Sequence, residues 1–381
     1  MAANRPGPDP GTRRVAGTPG APRRPRIGLV LGAGGLLGGA WLAGSLATIA
    51  DELGWDPRSA DLVVGTSAGS MIGALLAGGV PPWFMAAHSG GESFPGLLDA
   101  NGRPTDEADR SAGGVLRPMG LPRPRPGSLL LGRAALRRPR SHRLAAALSA
   151  WVPEGVMSAA PLKDTVRTVV PQGWVTDREL WVVAVDYATG RRVCFGRDDA
   201  PPADLADAVS ASCAVPGLYR PQRIGGRVYV DGGAWSISNL DAVARAELDV
   251  VVCLNPMSSR PEQLRRAGKG RVTGALRRSA GRRLGWEARR LRERGVEVVL
   301  LQALAEDLEH MRGNVMSVAR RHAVLEQARV SMRRQLADSP LADLLRDLPP
   351  APAHRLRRPD GPPQEWPVDA LPPGTRVVAT A

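Results

Sequence analysis

The chain of 381 residues has little lysine, few aromatic residues and only three cysteines. Lys163 and Lys269 are its only lysines, and Phe, Tyr and Trp together make up 4% of the residues. The core must therefore rest on Leu, Val and Ala. No G-K-[ST] occurs anywhere, which excludes a P-loop for nucleoside triphosphates. Cys194, Cys213 and Cys253 are scattered and show no C-x-x-C or Cys/His ligand spacing. Neither a disulfide framework nor a metal site is expected, and free thiols suit a reducing cytoplasm. No recognition-helix, zinc-finger or RRM signature is present, so no nucleic-acid partner is expected.

Positive charge is plentiful. The formal net charge is +14, nearly all of it from arginine. Much of the excess lies in residues 1–26, 101–145 and 260–294, which have loop or basic-helix composition. Weak peripheral attraction to acidic lipid head groups fits that pattern. The 35 prolines concentrate in a few segments. Residues 1–25 are expected to be a disordered basic tail. Residues 26–338 are expected to form the folded domain, with 98–145 as an insertion that could cover a site. Residues 339–381 are expected to be a Pro-rich peripheral tail. "GALRRSAGRRLGWEARRLRERG" reads as a basic helix with Leu, Trp and Ala on one face, and "LWVVAVDY", "DVVVCLNP" and "VEVVLLQ" read as buried strands of a parallel sheet.

From Ile27 to Ala50, "IGLVLGAGGLLGGAWLAGSLATIA" carries no charge and holds seven glycines. An export or membrane-spanning segment would be weakened by glycines clustered at its centre. A dinucleotide loop needs a final glycine where Leu37 stands, and an acid at the tip of a second strand. Asp51 and Glu52 read instead as the polar end of a helix. Periodicity favours a β-loop-α unit: strand "IGLVL", turn "GAGGLLG", then an amphipathic helix.

Downstream, "DLVVGTSAGSMIGALLAGG" sets a G-x-S-x-G between a short strand and a helix. That is the context of a nucleophile elbow, with Ser67 as nucleophile between Gly65 and Gly69. An acyl-transfer transition state then needs oxyanion donors, and the backbone N–H groups of Gly34, Gly35 and Leu36 can supply them at a helix N-terminus. A base is also needed. His88, His142, His310, His322 and His354 all lack a strand-end setting, whereas Asp231 ends the strand "RVYV" before Gly232 and Gly233. An Asp-Gly hairpin turn is the plain alternative there.

Taken together, "LGAGGLLGGAW", "VVGTSAGS", "AVSASCAVPGLYRPQRIGGRVYVDGG" and "SNLD" resemble the patatin-like phospholipase family over roughly residues 26–255. The resemblance implies a three-layer α/β/α fold with a mostly parallel central sheet. It also implies a serine–aspartate dyad that hydrolyses acyl esters of lipids without a cofactor. Carried over, Ser67 is the nucleophile and Asp231 the proton acceptor, Gly34, Gly35 and Leu36 line the oxyanion hole, and Gly32, Gly38, Gly65, Gly69, Gly232 and Gly233 are motif glycines. Two positions depart from the pattern. Ala33 takes the first place of the usual glycine trio, and Leu37 stands where many members carry Arg or Lys. A Ser-His-Asp esterase and a non-catalytic anionic-membrane or nucleotide-binding protein remain open as other readings. The expected location is cytoplasmic, with peripheral membrane contact as an option.

Overall fold

The computed structural model describes residues 24–92, 94, 96–98, 102, 128–137, 149, 151–267, 271–345, 356, 358 and 370–377. Most of the 98–145 insertion, residues 1–23, His142 and His354 lie outside the described residues.

Five apolar segments form a parallel core sheet: β1 (Ile27–Leu31), β2 (Leu62–Thr66), β3 (Glu179–Asp186), β7 (Val250–Asn255) and β8 (Glu297–Gln302). Three antiparallel strands extend it: β4 (Arg192–Phe195), β5 (Gln222–Ile224) and β6 (Arg227–Asp231). Hydrogen-bonded neighbours follow the path β5-β6-β3-β2-β1-β7-β8, and β3 also pairs with β4. Register aligns the carboxyl ends of the parallel strands, since Leu31 pairs with both Gly65 and Leu254.

Both faces of this sheet are covered, which explains why its strands read as unbroken apolar runs. Ile27, Leu29 and Leu31 point to one face, where α1 (Gly35–Leu53), α2 (Ala68–Ala77), α3 (Leu205–Ser212) and α5 (Arg321–Ala337) pack. Val30, Val64 and Cys253 point to the other, against Leu284, Ala288 and Leu291 of α4 (Arg271–Arg292). The result is the three-layer α/β/α architecture expected from the sequence.

The uncharged stretch that suggested a membrane segment is therefore β1 plus a helix at the centre of the fold. From Leu37 to Ala50, α1 is buried at every position but Gly39. Close packing explains its glycines better than a bilayer does: a Cβ on Gly44 would lie 2.8 Å from the Leu325 carbonyl oxygen of α5. Among the described residues no helix is long and apolar enough to cross a membrane. Glu52 pairs with Arg333 at 2.9 Å at the far end of α1, away from any second-strand tip, so the acid of a dinucleotide site is missing.

Two expectations about the periphery need revision. Trp286 does not share the buried face of α4; it is exposed and stacks between Arg283 and Arg290. Helical phase puts Leu284, Ala288 and Leu291 inward and leaves Trp286 outside. After residue 338, expected to be a peripheral tail, the described parts pack on the domain. Leu341 and Leu345 join the main core, and Arg376–Val377 pairs antiparallel with Leu97–Leu98. Single apolar side chains in a proline-rich stretch gave no periodic signal that could announce this docking.

Candidate active site

Strand pairing brings Ser67 and Asp231 together. On one edge of β3, β2 runs parallel as far as Thr66 opposite Val183. On that same edge β6 descends antiparallel and ends with Asp231 opposite Ala184. The other edge is occupied by β4, which pairs with Val182 through Val185. So β2 and β6 meet end to end, and the residue after Thr66 is Ser67.

The turn at Ser67 is tight. Its φ of 54° and ψ of −122° lie where L-residues rarely sit, a conformation that costs about 1–3 kcal/mol. The flanking glycines make the turn possible: a Cβ on Gly65 would lie 2.4 Å from Ser70 Cα, and one on Gly69 would lie 2.1 Å from the Leu31 carbonyl oxygen. The Ser67 N–H donates to Ser212 Oγ at 2.8 Å, and that hydroxyl donates onward to the Val183 carbonyl at 2.6 Å. Ser212 thus ties the elbow to the strand beside it. The sequence motif "SASCAVPG" contains Ser212, but nothing in the pattern singled it out from Ser210, which only bonds back along its own helix.

Asp231 is 5% exposed, as is Ser67. Burial raises its pKa to about 6, opposed by the Ser67 hydroxyl and the Gly233 N–H. Its Oδ1 accepts the Gly233 N–H at 2.6 Å, while Oδ2 is buried without a donor at hydrogen-bond geometry. The Ser67 hydroxyl therefore neighbours the carboxylate without a fully formed bond. No hairpin forms at Asp231–Gly232. The chain turns into a short 3-10 segment, Gly232–Ala234, and the hairpin of β5 and β6 turns instead at Gly225 and Gly226, both at positive φ. Gly232 is required by closeness, because a Cβ there would lie 2.3 Å from the Val183 carbonyl oxygen.

The glycine loop closes the third side. The Ala33 N–H donates to the Ile237 carbonyl at 2.9 Å, and the Ala33 Cβ would lie 3.7 Å from a Cβ on Gly233. Gly34 caps the N-terminus of α1, and Gly35 takes a φ of +61°. Among the described residues no acceptor takes the N–H groups of Gly34, Gly35 or Leu36, whereas the next, Leu37, donates to the Val315 carbonyl at 2.9 Å. A Cβ on Gly34 would lie 2.8 Å from Pro256 Cγ and one on Gly38 3.1 Å from it; a Cβ on Gly32 would lie 3.0 Å from Asn255 Cγ. The Leu37 side chain is wholly buried in the core. At this position the chain presents no cation to the site.

Two residues that sequence reasoning passed over complete the frame. Asn239, within "SNLD", sits at φ 49°, and its Nδ2 donates to Thr66 Oγ1 at 3.1 Å, the Gly232 carbonyl at 3.2 Å and the Ser236 carbonyl at 2.6 Å. It joins the residue before Ser67 to the residue after Asp231. Glu287 of α4 is fully buried and receives Ser236 Oγ, Ser238 Oγ, the Leu240 N–H and Arg283 Nε. A cluster of small polar residues after the D-G-G was the available signal. The described histidines stand apart: His88 stacks on Phe84, and His310 and His322 are exposed on helices. Cys213 lies against the pair instead, its thiol pushed up to about 12 by burial and by the charge of Asp231.

A family model described as patatin-like phospholipase matches residues 29–243, more than half of the chain. Uncharacterised NTE family proteins of Mycobacterium bovis and Mycobacterium tuberculosis are each 33% identical over 113 residues. Those stretches cover 28% of this chain and 29% of the relatives, so the chain matches under a third of their length. Among solved structures, VipD from Legionella pneumophila superposes with a TM-score of 0.37 at 15% identity, covering 82% of this chain and 67% of that one.

Proposed function

The chain belongs to the patatin-like phospholipase family, and from that premise we propose that it hydrolyses carboxylic esters of lipids through a serine–aspartate dyad. The observation that carries this reading is the meeting of three segments remote in sequence. Leu31 to Leu36, Thr66 to Gly69 and Asp231 to Gly233 touch one another around one hydroxyl and one buried carboxylate.

In the proposed reaction Ser67 Oγ attacks the ester carbonyl carbon while Asp231 Oδ2 takes its proton. The tetrahedral oxyanion is received by the N–H groups of Gly34, Gly35 and Leu36, at the positive end of α1. Collapse expels the alcohol, which leaves with the proton from Asp231. Water then gives a proton to Asp231 and attacks the acyl-enzyme. The fatty acid departs and the proton returns to Ser67 Oγ. A carboxylate at its ordinary pKa near 3.9 is a weak base; burial that raises Asp231 to about 6 makes it a stronger one while leaving it ionised at neutral pH.

The test is labelling of the purified protein with a fluorophosphonate, which reacts with an activated serine beside oxyanion donors. Wild type should label and turn over a short-chain nitrophenyl ester, and Ser67→Ala and Asp231→Asn should do neither. Labelling that survives Asp231→Asn would remove the dyad reading.

A further inference from the structure

Eight large apolar side chains are exposed among the described residues, and six of them stand around one end of the molecule. Leu129 and Leu130 open a helix that Ser128 fastens to the Tyr187 carbonyl, just past the carboxyl end of β3. Trp151 packs on Gly132 of that helix. Val215 follows the Ala214 carbonyl that accepts the Asp231 N–H. Leu276 precedes Arg277, whose guanidinium binds the Pro256 carbonyl beyond the carboxyl end of β7. Val318 belongs to the segment that carries Val315 over the glycine loop. All six thus surround the strand ends at which Ser67 and Asp231 lie. Only Trp286 and Val330 are elsewhere, on the flanks.

Charge reinforces this end. At the opposite end, Asp61, Glu179, Asp249 and Glu297, at or just before the first residues of β2, β3, β7 and β8, are matched by Arg24, Arg26, Arg178 and Arg294. At the carboxyl end, exposed Arg260, Arg265 and Arg266 follow β7, and Arg312 and Arg320 follow β8, against Glu262 and Glu309. Among these groups the surplus of cations lies at the carboxyl end.

We propose that the carboxyl end of the sheet is a docking surface for an anionic lipid bilayer, with Leu129, Leu130, Trp151, Val215, Leu276 and Val318 entering the interface and the surrounding arginines meeting phosphate head groups. The proposal rests on the lipid-hydrolase reading above and says where that enzyme meets its substrate aggregate. Apolar side chains ringed by cations are what an interfacial surface requires. A groove for a folded protein would be expected to pair its cations with placed acids. Here the apolar residues come from five separate segments and present no continuous strand edge or helix stripe for such a partner.

The experiment measures vesicle partitioning of the full chain carrying Ser67→Ala, so that no lipid is consumed. Phosphatidylcholine vesicles are compared with vesicles that also contain phosphatidylglycerol. The protein should bind the anionic vesicles more strongly, with the preference lost at high salt. Leu276→Glu combined with Val318→Glu should weaken binding by about tenfold or more, and Val330→Glu on the flank should leave it unchanged. In the Ser67 background, both substitutions should leave nitrophenyl ester turnover within about twofold, as expected for side chains outside the reaction site. Equal binding to neutral vesicles, or loss of binding with Val330→Glu but not with the rim pair, would overturn the surface. Absent vesicle binding with intact soluble-ester turnover would overturn the surface and leave the hydrolase reading standing. Vesicle binding without turnover or fluorophosphonate labelling would do the reverse.

Discussion

Thr66 and Asp231 end two strands of opposite direction on a single edge of a third, paired with the consecutive residues Val183 and Ala184. Sheet pairing thus brings together Thr66 and Asp231, 165 residues apart in the chain. A one-residue slip of β6 would turn the Asp231 side chain to the opposite face. Register, fixed by Tyr229 and Val230 in the core, is therefore a condition of the site.

The strain at Ser67 separates two substitutions that both remove the hydroxyl. Ser67→Ala keeps a Cβ at φ 54°, ψ −122°, whereas Ser67→Gly relieves it. Relief of about 1–3 kcal/mol exceeds the entropic cost of glycine, about 0.5–1 kcal/mol. Both variants should be inactive, and thermal unfolding should place Ser67→Gly above Ser67→Ala by a few degrees. Equal melting temperatures would mean the turn is unstrained.

The pH dependence follows from the burial of Asp231. Its pKa of about 6 predicts that kcat/KM for a neutral ester falls below pH 6, as the base becomes protonated. The same shift has an opposite consequence for stability. The folded protein binds this proton more tightly than the unfolded chain, so the contribution is favourable at low pH and lost as pH rises through about 6. At pH 8 the ionised carboxylate costs on the order of 3 kcal/mol. Asp231→Asn should therefore raise the melting temperature at pH 8 and raise it less at pH 5, while abolishing turnover. Urea unfolding of both proteins at the two pH values reads the difference directly.

Asn239 offers a test of positioning. Asn239→Asp keeps a residue type that tolerates φ 49° but removes the donor shared by Thr66 Oγ1 and the Gly232 and Ser236 carbonyls. We expect kcat to fall about 10- to 100-fold with KM nearly unchanged, the pattern of a misaligned nucleophile and base. A rise in KM alone would point to a role in substrate binding instead.

Much of this was legible in the residues. Strand, elbow and helix around Ser67 follow from a G-x-S-x-G set between an apolar run and a helical period, and Asp231 from its place at a strand end before two glycines. Less legible were interactions made by single polar side chains across layers. Ser212 and Asn239 lie within quoted motifs, yet their partners, Ser67 N–H and Thr66 Oγ1, are 145 and 173 residues away. Periodicity reports which face is buried; it carries no information about which donor meets which acceptor. The outward Trp286 failed for a related reason, since composition counts an aromatic as core while helical phase decides.

Glu287 is the support on which the D-G-G loop leans, and its removal should show as both instability and lost activity. Its carboxylate is fully buried and takes two hydroxyls, at 2.9 and 2.6 Å, the Leu240 N–H at 3.1 Å and Arg283 Nε at 2.6 Å. Truncation to Ala takes a buried acceptor from these donors and breaks the buried pair with Arg283, a loss of about 3–5 kcal/mol. Glu287→Gln retains one acceptor oxygen and should cost less. The informative measurement is the coupling with Asn239, because Ser236 is held by both: its hydroxyl donates to Glu287 and its carbonyl accepts from Asn239. If the two act through one loop, kcat losses of Glu287→Gln and Asn239→Asp should be less than multiplicative in the double variant, with a coupling of about 0.5–3 kcal/mol. Multiplicative losses would mean that Glu287 stabilises the outer layer alone and that the loop is aligned by Asn239 without it.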